Sequence, residues 1–498
     1  MAKQESGNPS ERLPALAASE FRRVAYHAVD LAAEHLFGIR ERPVFESMTP
    51  DERAELLHEP MPADGVAPDV ILGQLRARVL AHPMGNGHPR FFGWVNSPPA
   101  MLAIATEIIA AAMNPSCAGG DHAAIYLERC AIRWLMELVG YPTNGSMGIL
   151  VSGASMATLT AFAAARHRAA VCREWNVRDE GLQSGHPPLI IYMSSEGHGC
   201  FRKAAELLGL GAAAIRTISV DDAFHIDVAA LARAIAEDRA AGREPFCVAV
   251  SAGTVNNGAI DPLDKVADLC AQENLWMHVD GAYGAVGVLD PSVAPRFNGL
   301  ARADSLALDP HKWLSVPVEC GCVFVRDGTT LRQAFSLVPP YLWTEEGKGF
   351  GGLPWYSEYG FQQTRAFRAL KLWVTLAHLG RAGIANLVSR HIGLARRLAS
   401  ILAAAPDFEL LAPVELSIVC FRYVPGAMRD KEQKLNDLNQ RLIEKVQVGG
   451  EAFVSGTKLN GRTALRACVL HYATSEDDIE ALVEIARRAG AALAAIAG

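Results

Sequence analysis

Ala303-Asp304-Ser305-Leu306-Ala307-Leu308-Asp309-Pro310-His311-Lys312-Trp313 is an apolar run that ends in a proline turn and a His-Lys-Trp triplet. A short apolar run bounded by a turn signal reads as a buried strand, so Lys312 is expected just past its end. Burial disfavours an ammonium ion, and a lysine there is expected to lose its proton cheaply. The neutral amine is a nucleophile that can hold an aldehyde as a Schiff base. The competing reading is a surface lysine whose stem lies along apolar surface while its charge reaches water. A second stretch upstream decides between them.

That stretch is Leu275-Trp276-Met277-His278-Val279-Asp280-Gly281-Ala282-Tyr283-Gly284, an apolar strand ending in Asp280 and a small-residue turn. Open α/β sheets bind ligands beyond the carboxyl ends of their strands. A Schiff-base lysine with an aspartate for a pyridinium nitrogen is the pair that pyridoxal phosphate (PLP) chemistry uses. Further strand-like runs at 147–151, 189–192, 246–250 and 320–325 alternate with helical periodicity. This pattern predicts an α/β fold, with a parallel-rich sheet and right-handed crossovers in a large domain.

Other candidates cluster after those strands. Ser152-Gly153-Ala154-Ser155 leads into an Ala-rich helix. Small residues at a helix N-terminus open backbone N–H groups and the positive end of the dipole to a phosphate. A serine there can equally be an N-cap, but Asp280 and Lys312 downstream favour the phosphate. His198 follows the next strand between two glycines, which permit close approach to a flat ligand; a histidine so placed is structural or catalytic. Gly253-Thr254 precedes Asn257-Gly258, which a plain turn explains as well. Aromatics between glycine and proline in Gly87–Pro99, with Phe91, Trp94 and Val95 among them, form either a packed hinge or a pocket wall.

The chain of 498 residues is too long for one small core, so two or three packed units are expected. The formal net charge of −7 argues against nucleic acid as a partner. Ten cysteines lack paired spacing, and Cys320-Gly321-Cys322 reads as core thiols rather than a metal site; no metal is expected. The N-terminus has no signal-peptide core and no run reaches membrane-span length, which predicts a cytoplasmic protein without membrane contact. Residues 1 to about 20 read as a loose tail. Helical spacing from Phe21 to Leu36, a short helix from Pro50 and another over 70–80 make residues 1–90 an arm. Such an arm must bury its apolar faces on the body or on a second subunit. The large domain is read as 91–375, and 376–498 as a small α+β domain. Within 341–356, four glycines mark a lid-like loop.

His278-Val279-Asp280 with Asp309-Pro310-His311-Lys312-Trp313 resembles the PLP-dependent group II decarboxylases, specifically the aromatic-L-amino-acid decarboxylase family, and the likeness runs along nearly the whole chain. The resemblance implies PLP fold type I (aspartate-aminotransferase-like) and a homodimer embraced by the N-terminal helices. It implies decarboxylation of an amino acid, most readily an aromatic one, to the primary amine and carbon dioxide. Cofactor contacts carry over to Gly153, Ala154, Ser155, His198, Thr254, Asp280, Ala282, Asp309, His311 and Lys312. Gly153 replaces the first serine of the family's Ser-Ala-Ser loop. Asp309 stands where the family has asparagine beside the phosphate, and its role stays open. His198 would stack on the ring and meet the substrate carboxylate, and Thr254 would lie near the ring's 3′ oxygen. Phe91, Trp94 and Val95 would contact the substrate, with Trp94 in place of the tyrosine usual in animal enzymes. Counting back from Arg365-Ala366-Phe367-Arg368 puts Tyr356 at the loop tyrosine that protonates the α-carbon, with Tyr359 as competitor. Alternatives are a PLP aldehyde synthase, a decarboxylase of an aliphatic amino acid, and an aminotransferase using Arg466 for a second carboxylate.

Overall fold

The apolar runs form strands buried along their whole length, as expected where helices cover both faces of a sheet. In chain order the strands are β1 Phe91–Phe92, β2 Met147–Val151, β3 Leu189–Ser194, β4 Ile215–Ile218, β5 Glu244–Ser251, β6 Trp276–Asp280, β7 Ser305–Leu308, β8 Gly321–Val325, β9 Phe408–Leu410, β10 Ile418–Tyr423, β11 Phe453–Leu459 and β12 Arg462–Cys468. They come from a computed structural model that describes residues 14–183, 185–340, 345 and 348–497. The first thirteen residues of the expected tail, and 341–344 with 346–347 of the expected lid, lie outside the described residues.

Seven strands form one sheet in the order β2-β8-β7-β6-β5-β3-β4. Within it β8 is antiparallel to both neighbours, and the run from β7 to β4 is parallel. The carboxyl ends of β2, β3, β5, β6 and β7 therefore meet at one edge. The helices Ala154–Val171, Cys200–Leu207, Val228–Ala240 and Leu263–Glu273 alternate with these strands as the periodicity predicted. A second sheet, β1-β11-β12-β10-β9, has its own core with Leu398, Leu442 and Leu482 of the covering helices.

Two boundaries differ from the expected domains. Phe91 and Phe92 begin no large domain: β1 pairs in parallel with β11 and belongs to the C-terminal sheet. The expected break at 375–376 falls inside the helical segment Arg368–Ala404, whose interruption comes instead at Gly380 (φ 61°). Helix Met101–Met113 had no signal, because apolar side chains surround it and leave no polar face to set a period. In the arm, helix Ala18–Gly38 buries only Leu31. Helix Pro50–Leu57 starts at a reciprocal Thr49–Glu52 capping box, and the helix expected over 70–80 is Pro68–Gln74 continued by a π turn, Leu75–Val79. All ten cysteines are free; Cys320 and Cys322 are buried core thiols. No described helix is long and apolar enough to cross a membrane.

Candidate active site

β6 ends in Asp280, whose Oδ1 accepts the Ala282 N–H at 3.0 Å, so the turn itself orients the carboxylate. One strand over, β7 ends at Leu308 and the chain turns tightly, with Lys312 N donating to Asp309 O at 2.9 Å. That turn points Lys312 Nζ at Asp309 Oδ2, 3.0 Å away. Behind it, Trp313 is buried, stacks on Tyr283 at 5.0 Å and 8°, and donates Nε1–H to His391 Nδ1 at 2.9 Å. The triplet thus nails the lysine's backbone into the core.

The expectation that Lys312 sheds its proton cheaply needs correction. Burial does push its pKa down, but Asp309 and then Asp280 oppose burial, and the net shift is upward. Two acids close to one amine outweigh its desolvation.

On the facing side, helix Ala154–Val171 begins at Gly153 with no side chain capping it. Its N-terminus opens into the cleft, which supports the phosphate reading of this turn over the N-cap reading. β8 must pass very close here: a Cβ on Gly321 would lie 2.4 Å from Gly153 Cα, so only glycine fits. His198 accepts the Cys200 N–H on Nδ1 at 3.1 Å, which leaves Nε2 to carry the proton of the neutral ring.

These elements surround one cleft of about 430 Å³, lined by Val95, Gly153, Ala154, Ser155, His198, Asp280, Ala282, Asp309, His311 and Lys312 among the expected residues. An uncapped helix N-terminus, a strand-end carboxylate and a convergent lysine match the phosphate, ring nitrogen and aldehyde of PLP; the site fits that cofactor.

Four expected contacts are absent from this cleft. Thr254 is buried beside it, and its hydroxyl donates to Asn257 Oδ1 at 2.5 Å. Phe91 stacks on Phe453 at 4.9 Å because β1 and β11 pair, and Trp94 packs on the same ring. Of the aromatic segment only Val95 reaches the cleft. Tyr356 is fully buried, with the guanidinium groups of Arg365 and Arg129 4.6 and 4.9 Å from its ring centre. Its hydroxyl has no hydrogen-bond partner among the described residues, and burial holds the phenol well above its ordinary pKa. The competitor Tyr359 is likewise buried near Arg129. The loop tyrosine is therefore packed in this chain's own core and does not reach its own cleft.

Sequence reasoning missed Glu319 and Val318, which line the cleft just before β8. It assigned Arg466 only to an aminotransferase. Arg466 is buried next to this region; Nε donates to Val255 O at 2.9 Å, Nη1 donates to Trp94 O at 2.9 Å, and Nη2 has no partner among the described residues. A guanidinium without a carboxylate is a candidate anchor for one.

Residues 50–424 match the family model described as pyridoxal-dependent decarboxylase conserved domain. The chain is 33% identical to an aromatic-L-amino-acid decarboxylase of Bacillus atrophaeus, over 93% of this chain and 94% of that one. It is 27% identical to a phenylacetaldehyde synthase of Arabidopsis thaliana, over 93% and 94% respectively. The crystal structure of Oryza sativa TDC with PLP and tryptamine matches with a TM-score of 0.89 at 28% identity, covering 97% of this chain and 100% of that one. The two-sheet architecture is fold type I, and the chain belongs to the pyridoxal-dependent decarboxylase family, a carboxy-lyase that uses PLP on an amino acid.

Proposed function

We propose that the substrate is an aromatic L-amino acid, converted to its primary amine with loss of carbon dioxide. The observation that carries this is the convergence of Asp280, Lys312 and His198 on one cleft at the carboxyl edge of the sheet. Val95, Val255, Val318 and Tyr283 give that cleft apolar wall, and similarity to aromatic amino-acid enzymes supports the substrate class.

Bound PLP supplies a sink for the electron pair of the bond that breaks at the α-carbon. Lys312 would hold the cofactor through its aldehyde carbon. Asp280 would keep the ring nitrogen protonated, and the turn 152–155 would cradle the phosphate with backbone N–H groups. Which bond breaks depends on which one is held perpendicular to the ring. His198 Nε2–H is suited to hold the carboxylate there, and His198 can carry a proton to the α-carbon afterwards.

One observation favours a second reading. With Tyr356 buried away from the cleft, the expected proton donor is absent from it, and dioxygen could intercept the reaction to give aldehyde, ammonia and peroxide. Purified protein with PLP and a panel of Tyr, Trp, Phe, dihydroxyphenylalanine, Glu, Val, Leu and Met is expected to yield equal amine and carbon dioxide from an aromatic member, without peroxide. Aldehyde with peroxide would establish the second reading, and turnover confined to Val, Leu or Met would overturn the substrate class.

We also infer a homodimer. Helix Met101–Met113 exposes Met101, Leu102, Ile108, Ile109 and Met113, and the arm exposes Phe21, Tyr26, Val29, Phe37, Val70 and Ile71. Apolar faces of this extent mark an interaction surface, and one copy can cover another's. Light scattering should give a dimer, and Ile108→Glu with Ile109→Glu should weaken association by at least about a hundredfold, because charges are then buried without partners. An unchanged dimer in that variant would place the interface elsewhere. Ten free cysteines support a reducing, cytoplasmic setting.

A further inference from the structure

We propose that Asp309 restrains cofactor loading, so that this enzyme releases PLP readily and refills from a free pool. The inference rests on the assignment of Lys312 as the PLP anchor and of the turn 152–155 as the phosphate cradle.

Asp309 is 3% exposed and sits at the inner wall of the cleft. Its two oxygens face different ways. Oδ2 lies 3.0 Å from Lys312 Nζ and 3.8 Å from His311 Nε2. Oδ1 has no hydrogen-bond partner among the described residues and looks across at the cradle, where a Cβ on Gly153 would lie 3.8 Å from it. A buried carboxylate oxygen left without a donor is costly, and here it is directed at the place assigned to the most negative group of the ligand.

The other charged and titratable groups near Asp309 do not offset this. Lys312 pairs with Oδ2 and not with Oδ1, His311 Nε2 lies 3.8 Å from the same Oδ2, Asp280 adds a second negative charge near the lysine, and burial pushes the thiols of Cys200 and Cys320 up to about 12, so that they stay neutral. No arginine forms an ion pair with Asp309 among the described residues. The phosphate must be held by backbone N–H groups and hydroxyls while a carboxylate opposes it from within the same cleft.

Asp309 also acts on the lysine. It is the nearer of the two acids that favour the ammonium, and the amine must shed a proton before its lone pair can reach the aldehyde carbon. Repulsion of the phosphate and protection of the ammonium both weaken retention of PLP. An asparagine would remove both and could turn an N–H toward the phosphate.

The test is the dissociation constant of PLP from the full-length enzyme by equilibrium dialysis, for wild type, Asp309→Asn, Asp309→Ala and Lys312→Ala, repeated with pyridoxal, which lacks the phosphate. Asp309→Asn is expected to hold PLP about tenfold or more tightly than wild type, as removing a like charge a few ångströms away implies. Asp309→Ala should move the same way, which keeps the test open if one variant folds poorly. The gain on pyridoxal should be distinctly smaller, because only the effect on the lysine remains. Equal or weaker retention of PLP in both variants, or an equal gain on PLP and pyridoxal, would overturn the proposal. Retention of PLP by Lys312→Ala as tight as wild type would instead overturn the anchor assignment on which it rests.

Discussion

Lys312→Ala is expected to lower kcat/KM by at least about a thousandfold, the scale on which removal of a covalent nucleophile acts. The lysine's only route into the cleft is the turn between β7 and β8, and Trp313 fixes that turn from behind through Tyr283 and His391. Among the described residues no other lysine lines the cleft, so none of them can substitute. The same variant should be less stable by roughly 2 kcal/mol without cofactor, because the buried Asp309 then has no partner nearer than His311 Nε2 at 3.8 Å. Adding Asp309→Asn to Lys312→Ala should recover most of that stability and none of the activity. The two losses thus separate: urea midpoints read the first, and single-turnover product formation reads the second. Retention of more than about a tenth of the wild-type rate by Lys312→Ala would sink the assignment of Lys312 as the anchor.

Those parts of the site built from strand ends were readable in the chain. Asp280, Lys312, His198 and the turn 152–155 each follow an apolar run directly, and a parallel sheet brings all such ends to one edge whatever else the molecule does. What the chain did not disclose depends on contacts between remote segments. Phe91 and Trp94 read as pocket wall, yet Phe453, far along the chain, takes their rings because β1 pairs with β11. Tyr356 was placed by counting along the loop. Its position is decided by Arg129 and Arg365, and Arg365 in turn is held by Glu128 in an ion pair with both side chains fully buried. That pair ties Leu150 and Cys117 together through Arg365 and so braces the strand that leads into the turn 152–155. Nothing local distinguishes Glu128 from the other acids on an amphipathic helix. The sign of the Lys312 shift was missed for a related reason: burial can be inferred from an apolar run, whereas the distance to Asp309 cannot.

Acid should destabilise this protein steeply between about pH 6 and pH 4, and three deeply buried histidines contribute most plainly. Burial depresses the pKa of His391 to about 3 and of His278 and His471 to about 4. His391 and His471 each have one ring nitrogen accepting an N–H and the other facing a carbonyl, the arrangement of a neutral imidazole. His391 accepts from Trp313 Nε1 and faces His471 O; His471 accepts from Ala473 N and faces Gly87 O; His278 lies between the hydroxyls of Ser305 and Thr158. Protonating the accepting nitrogen breaks a bond at His391 and His471, and charging His278 places a cation in a fully buried site. In the unfolded chain the three titrate near pH 6.5, so below that value the unfolded state binds more protons and stability falls with pH until the folded values are reached. Asp261 works the other way. Burial raises its pKa to about 6, so the folded state binds its proton first and gains stability as the pH drops through the same window. For these four groups, three protons favouring the unfolded state against one favouring the folded leave a net uptake near two, or roughly 3 kcal/mol per pH unit. Against a total stability of about 5–15 kcal/mol, the roughly 6 kcal/mol removed by two units of acidification is a large share. Urea denaturation at a series of pH values reads the slope directly. His391→Asn, whose side-chain oxygen can still accept from Trp313 Nε1, should lower the net uptake from about two protons to about one. If its slope matches that of wild type, His391 is not among the groups that drive acid unfolding, and the neutral imidazole behind Trp313 must be stabilised by something other than the two hydrogen bonds that hold it.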